Sequence, residues 1–151
     1  MKKGIISLFA LMAFVSIKAQ TLLPKNPIMY EVNLRHHTQS GTINAFLPSI
    51  EEIKYLGANV VWIMPSQPIG RKKRKAKGDL FVEDLVQVEG EMDKWEKYKG
   101  SPYAIADYTA VNPDYGTLED FRNMVKKCHE NGMIVILDWV ANHTAWDNKW
   151  I

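Results

Sequence analysis

Three polar residues with the chemistry to bind a sugar or a cation follow a short apolar run near the end of this 151-residue sequence. The run 134–137 is continuously apolar, which is typical of a parallel strand covered on both faces, and Asp138, Asn142 and His143 come directly after it. In α/β proteins ligands bind at the carboxyl ends of such strands. A carboxylate, an amide and an imidazole at that position can bind sugar hydroxyls or an oxygen-preferring cation, so the sequence predicts a site here.

Two of these residues also have an ordinary structural interpretation. Asp138 alone would be a helix or loop cap, and His143 alone would be a buried histidine with its hydrogen bonds satisfied. Their occurrence together at the end of one predicted strand favours the functional interpretation.

Strand patterns occur at three places in the chain. Segments 28–34, 59–64 and 133–138 are apolar and of strand length. Helical spacing separates them, first over 43–56, which Gly57 would end as a left-handed cap. Pro48 is awkward in that helix unless it marks a first turn.

A second helix is predicted to begin after Thr117 and to end at Gly132. Its apolar residues include Cys128, the single cysteine, which is expected to be a small core residue and cannot form an intrachain disulfide. The order of elements is β-α-β, a long loop, then α-β, and we expect parallel strands joined by right-handed crossovers.

The loop between the second strand and the second helix carries a long insert, about residues 71–99. Six of the seven residues 71–77 are cationic, which is typical of a solvated loop, although an anion or polysaccharide surface is an alternative. Apolar residues from Phe81 to Trp95 recur at helical spacing, but Gly90 weakens that pattern and a strand also fits its start. Trp95 and Tyr98 are suited to sugar stacking, but packing within the insert is the favoured role.

The amino terminus has the pattern of a cleavable secretion signal. Lys2 and Lys3 precede the apolar run 5–17, and the small residue Ala19 follows it, so residues 1–19 are predicted to be removed and 20–27 to form a lead-in. The run is too short for a membrane span, and no cysteine follows it for a lipid anchor. The protein is therefore expected to be secreted or periplasmic, without a membrane anchor.

The charge balance gives no indication of a nucleic-acid partner. Three of the 19 basic residues lie in the predicted signal, which leaves 16 against 17 acidic residues and a formal net charge of −1. The oligomeric state is left open by the sequence.

Several motifs in order resemble the α-amylase family of glycoside hydrolases. The sequence 138–143, Asp-Trp-Val-Ala-Asn-His, resembles the family's first conserved region, D-x-V-x-N-H. Segment 57–68 is similar to its second barrel strand, and segments 100–108 and 111–121 are similar to the stretch that leads into its second helix. Trp150 stands where members often carry the tryptophan of a His-Pro-Trp-Phe sequence. The resemblance covers roughly residues 28–151 and implies the amino-terminal part, about three β/α units, of a (β/α)8 TIM barrel, an α/β fold.

The resemblance also implies roles for individual residues. Asn142 matches a calcium ligand of the family, and its amide oxygen is a hard donor suited to Ca²⁺. His143 matches the histidine that hydrogen-bonds the sugar at the cleavage subsite, and Tyr103 matches the tyrosine that stacks on the same sugar. Asp138 matches the aspartate that orients this cluster and is not the nucleophile. Pro102 replaces the glycine that is common before that tyrosine.

The family's nucleophile and general acid follow later strands than the three predicted here. Retaining hydrolysis needs two carboxylates about 5 Å apart, and a complete barrel needs about 250 residues. We therefore expect this sequence to be the amino-terminal part of a secreted enzyme that acts on α-glucans by a retaining mechanism, and to be inactive alone. A non-catalytic glucan-binding protein on an amylase-like scaffold is the alternative.

Overall fold

The computed structural model describes residues 23–89 and 93–151. The predicted signal segment and the first residues of the lead-in lie outside these ranges, as do Gly90 and Met92 of the insert. No helix in the described ranges is long and apolar enough to cross a bilayer.

A three-stranded parallel sheet confirms the predicted strand order. Its strands are β1 (Met29–Val32), β2 (Val60–Ile63) and β3 (Ile134–Leu137), hydrogen-bonded in the order β1-β2-β3. Val32 pairs with Ile63, and Ile63 pairs with Leu137, so the carboxyl ends of all three strands meet at one edge. That edge carries Asp138, whose backbone N–H donates to the Ile63 carbonyl at 2.9 Å.

Six helices lie between these strands in the described part of the chain. They are α1 (Leu34–His37), α2 (Ile43–Phe46), α3 (Ser49–Tyr55), α4 (Val82–Glu89), α5 (Asp93–Lys97) and α6 (Leu118–Glu130).

Two boundaries near the first strand differ from the prediction. Leu34 begins helix α1 and is not the end of a strand. The single helix predicted over 43–56 is split into α2 and α3 at Leu47–Pro48, because proline has no backbone N–H to donate to the preceding turn. Leu47 and Pro48 both keep helical backbone angles.

Helix α6 follows its prediction closely. Thr117 and Asp120 form a reciprocal capping box: the Thr117 side chain accepts from the Asp120 backbone, and the Asp120 carboxylate accepts from the Thr117 backbone. Met124 and Cys128 of this helix are buried in the core. Leu118 is half exposed, although its position in the helical repeat predicts that it lies on the apolar face.

One apolar core lies between the helices and a single face of the sheet. Because side chains alternate along a strand, Val32, Val61 and Ile63 point to the same face, where α2, α3 and α6 cover them. The largest fully buried side chains of those helices are Phe46 and Ile43 on α2 and Ile50 on α3, and Met124 is the largest from α6. Strand β3 is less covered than its apolar sequence predicts, since Leu137 is 47% exposed and β3 is the last strand of the described sheet.

Candidate functional site

The structure brings two of the predicted sugar-binding residues together at the carboxyl edge of the sheet. The Tyr103 hydroxyl donates to Asp138 Oδ2 at 3.0 Å, across 35 residues of sequence. Burial, reinforced by this carboxylate, raises the pKa of Tyr103 above its usual value of 10. The phenol therefore stays protonated at neutral pH and remains the donor, which fixes the ring of Tyr103 relative to the strand end.

The other two predicted residues form a second pair. Asn142 Nδ2 lies 3.1 Å from His143 Nδ1. With the amide nitrogen on the imidazole, the Asn142 amide oxygen faces away from the ring. No hydrogen bond joins this pair to Tyr103 and Asp138 within the described ranges, so the structure places the four residues on one edge as two separate pairs.

Tyr108, for which no role was predicted, holds the loop that carries the second pair. Its hydroxyl lies 2.6 Å from the carbonyl of Val140 and 2.7 Å from that of His143. Its ring stacks on Trp150 with 5.0 Å between centroids and 2° between planes, and Trp139 lies at 5.3 Å. These contacts depend on a loop conformation that residue spacing does not reveal.

The same loop is fixed at its far end by buried and charged contacts. Asn148 is buried and donates to the Ile105 carbonyl at 3.0 Å. Lys149 lies 3.1 Å from the Asp107 carboxylate. Hydrogen bonds from Thr109, followed by the one from Lys149, lower the pKa of Asp107 to about 2.

A cavity of about 380 Å³ opens beside this loop. Asn142 and His143 border it together with the rings of Tyr108, Trp139 and Trp150. Exposed aromatic faces beside an amide and an imidazole are suited to a sugar, whose ring stacks on the aromatic surface while its hydroxyls form hydrogen bonds.

The residues in hand do not make a calcium site by themselves. Calcium takes six to eight oxygen ligands, and Asn142 offers one side-chain oxygen. No group of three or more His, Cys, Asp or Glu side chains suited to a metal occurs in residues 23–89 and 93–151. A complete site would need donors from elsewhere.

Five of the six clustered cations of the insert are exposed, as predicted for a solvated loop, but most of the cluster also contacts aromatic rings. Arg71 and Arg74 both lie over the Trp95 ring, at 5.6 and 5.4 Å, so Trp95 has a packing role. Lys73 lies over Trp146, and Lys75 lies over Phe81. Four of the six clustered cations thus lie against aromatic rings.

The start of the apolar part of the insert was predicted as a helix or a strand, and the structure contains some of each. Phe81 forms an isolated antiparallel bridge with Lys75, and the helix α4 begins at the next residue.

Comparison with known proteins identifies the relatives of this fold and site. A family profile described as the α-amylase catalytic domain matches residues 30–151. α-Amylase 3 of Dictyoglomus thermophilum is 30% identical over 99% of this chain, which covers 26% of that protein. Trehalose-6-phosphate hydrolase of Bacillus subtilis is 25% identical over 87% of this chain, which covers 19% of that protein.

Solved structures give the same result. An α-amylase from Lactobacillus plantarum superposes with a TM-score of 0.66 and 35% identity, over 82% of this chain and 24% of that one. A maltogenic α-amylase from Thermotoga neapolitana superposes with a TM-score of 0.64 and 32% identity, over 84% and 26%. The chain thus spans about a fifth to a quarter of the length of these four proteins.

Proposed function

Because this chain belongs to the α-amylase family and has the fold of the amino-terminal part of its TIM barrel, we propose that it is part of a retaining glycoside hydrolase that acts on α-glucans. The observation that carries the proposal is the hydrogen bond from Tyr103 to Asp138 at the strand end, beside the loop that bears Asn142 and His143. It fixes an aromatic ring and a carboxylate where ligands bind in such folds.

Each residue has a distinct task in the proposed reaction. The Tyr103 ring stacks on the glucosyl unit at the cleavage point, and the His143 imidazole hydrogen-bonds its hydroxyls. Asp138 orients the Tyr103 ring and takes no covalent part. The nucleophile and the general acid, two carboxylates about 5 Å apart in retaining enzymes, are supplied by the sequence after residue 151.

We propose that Asn142 contributes one oxygen ligand to a calcium ion in the complete protein. Calcium there would hold the 138–143 loop against later parts of the barrel, and no step of the proposed reaction passes through it.

We also propose that the protein is secreted or periplasmic after cleavage behind Ala19. Intact mass and amino-terminal sequencing of the exported protein should show Gln20 as the first residue. A mature protein that keeps Lys2 and Lys3 would contradict this.

The decisive experiment uses the full-length protein and maltoheptaose. We expect hydrolysis, with the first product keeping the α configuration when its anomeric proton is followed by NMR. Changing His143→Ala should lower kcat/KM about 100-fold or more, because a hydrogen bond that strengthens in the transition state is lost.

Two outcomes would overturn this function. A product of inverted configuration would contradict the retaining mechanism. Binding of maltoheptaose without hydrolysis would support the alternative, a glucan-binding protein on an amylase scaffold.

A further inference from the structure

A second depression lies between the insert and the loop after β3. Its volume is about 220 Å³, and Lys73, Ser101, Thr144 and Trp146 are among the residues that line it. Thr144 also borders the cavity beside His143. Ser101 Oγ accepts the backbone N–H of Tyr103 at 3.2 Å. The depression therefore adjoins the candidate sugar site on the side of the insert.

The indole of Trp146 is the main exposed apolar surface of this depression. Trp146 is 59% exposed, and Lys73 Nζ lies 3.9 Å from its ring centroid. Lys73 has a positive φ of 55°, which is rare for a residue with a side chain. Its backbone N–H donates to both carboxylate oxygens of Glu83, at 3.2 and 3.1 Å, so helix α4 stabilises the turn that places the ammonium over the ring.

The two walls of the depression are fastened to each other. Asp147 Oδ2 accepts the backbone N–H groups of Arg71, at 2.7 Å, and of Lys72, at 3.2 Å. Gly70 packs so closely on the opposite wall that an added Cβ would lie 2.3 Å from Ala145 Cβ. The Arg74 guanidinium donates to the carbonyls of residues 69, 70 and 98. Because these contacts hold the two walls of the depression together, the surface between them can position a ligand.

The lining has the chemistry of a sugar-binding subsite. Besides Lys73, the cationic residues Lys72, Arg74 and Lys75 line the depression, and no carboxylate does. The Arg74 guanidinium is engaged by backbone carbonyls, whereas Lys73 forms no ion pair in the described ranges 23–89 and 93–151. Because Lys73 covers one face of the indole, a pyranose would stack its apolar C–H face on the other face. The Lys73 ammonium and the Ser101 and Thr144 hydroxyls would then hydrogen-bond its hydroxyl groups. The volume is comparable with that of one hexose ring.

We propose that Trp146 and Lys73 form an additional subsite, built by the insert, that binds a glucosyl unit of the glucan chain beyond the unit held by Tyr103 and His143. This inference rests on the proposed function and names how that site extends along its substrate. It assigns the insert a role in selecting longer chains.

The test compares a long and a short substrate in the full-length protein. Changing Trp146→Ala should lower kcat/KM for maltoheptaose about tenfold, mainly by raising KM. The same change should alter kcat/KM for maltotriose less than twofold. Trp146→Phe should restore most of the loss, because it keeps an aromatic face. Lys73→Met, which keeps the apolar stem, should cost about threefold on maltoheptaose.

Tyr55→Ala is the matched control. Tyr55 is 90% exposed at the end of α3, at the opposite edge of the sheet, and its removal should change neither substrate. Equal losses on both substrates for Trp146→Ala, or no loss on either, would overturn the subsite while leaving hydrolysis established.

Binding separates failure of the subsite from failure of the proposed function. If the full-length protein does not hydrolyse glucans, calorimetry with maltoheptaose decides: weaker binding by Trp146→Ala than by the unchanged protein supports the subsite. Equal binding by the two proteins overturns the subsite alone, and no binding by either overturns both proposals.

Discussion

At the residue scale, the candidate site depends on the phenol of Tyr103, which donates to Asp138 and which we propose stacks on the sugar. Its sugar-binding residues were predicted from the strand end and the family motif, and the structure adds that the Tyr103 hydroxyl contacts Asp138 directly. The sequence could not show this contact because the two residues approach only when the loop after β2 folds back over β3.

Removing the Tyr103 hydroxyl and removing the whole ring should have different effects. Tyr103→Phe keeps the stacking surface and loses one charge-assisted hydrogen bond, so we expect kcat/KM of the full-length protein to fall about tenfold. Tyr103→Ala loses both and should fall about 100-fold. Steady-state kinetics on maltoheptaose measures both. Equal losses in the two variants would mean that the ring does not contact the sugar.

Cys128 should be unreactive in the native protein. It is fully buried, and burial raises the pKa of its thiol to about 11, so almost no thiolate forms at pH 8. Iodoacetamide at pH 8 should leave the peptide that contains Cys128 unlabelled, as read by mass spectrometry, whereas labelling in guanidinium should be complete. Native labelling within minutes would contradict the buried position on α6.

At the element scale, helix α6 shows where local sequence suffices and helix α1 shows where it does not. Thr117, Asp120 and Gly132 set the ends of α6 by contacts within a few residues, so its limits follow from the sequence. The break at Pro48 is also local, because proline lacks the backbone N–H that the preceding turn would use. The helical conformation of Leu34, by contrast, was not predicted by any local pattern. The hydrogen bonds from the insert to Asp147 were not predicted, because they join residues that are 75 or 76 positions apart in the sequence.

The capping box of α6 should make a measurable, pH-dependent contribution to stability. Thr117→Ala removes the acceptor of the Asp120 backbone N–H and should lower the free energy of unfolding by about 1 kcal/mol at pH 7. Hydrogen bonds from Thr117, followed by the one from Asn44, lower the pKa of Asp120. The contribution of the Asp120 carboxylate to stability is therefore present above its unfolded-state pKa of about 3.9. It is lost as the pH falls through the lower folded-state pKa.

Asp120→Asn supplies the control for that pH dependence. Urea unfolding of the full-length protein between pH 7 and pH 3 should show a shallower acid limb for this variant than for the unchanged protein. Parallel acid limbs would mean that Asp120 is not charged in the cap.

A methyl group at Gly70 should separate the insert from the loop after β3. Gly70→Ala would place Cβ 2.4 Å from Asp147 Oδ1, so one wall must shift. We expect a cost of about 2 kcal/mol in stability and a selective loss of activity on maltoheptaose. Gly78→Ala is the matched control, since Gly78 has a positive φ of 62° but open space around it. It should cost about 1 kcal/mol and leave substrate preference unchanged.

At the scale of the whole molecule, the three parallel strands form an open sheet. Within the described ranges β1 and β3 each pair on one side only. A strand edge with unpaired backbone N–H and C=O groups can form hydrogen bonds with a strand of another chain. Phe121 and Val125 on the outer flank of α6 are only partly buried, and Trp139 and Leu137 are about half exposed or more. The barrel closure that the resemblance predicts explains this exposure, because further β/α units of the relatives would cover it.

A chain of these 151 residues alone should therefore be inactive and prone to associate. We expect no turnover of maltoheptaose, because the proposed retaining mechanism needs two paired carboxylates that we place on later strands. We expect increasing mass with concentration in light scattering, because the two open edges and the α6 flank remain exposed.

Calorimetry should show calcium affinity weaker than micromolar, since Asn142 offers one of the six to eight oxygens needed. The full-length protein is the control and should be active, of constant mass and calcium-binding, whereas micromolar affinity in the isolated chain would show that these residues complete the site themselves.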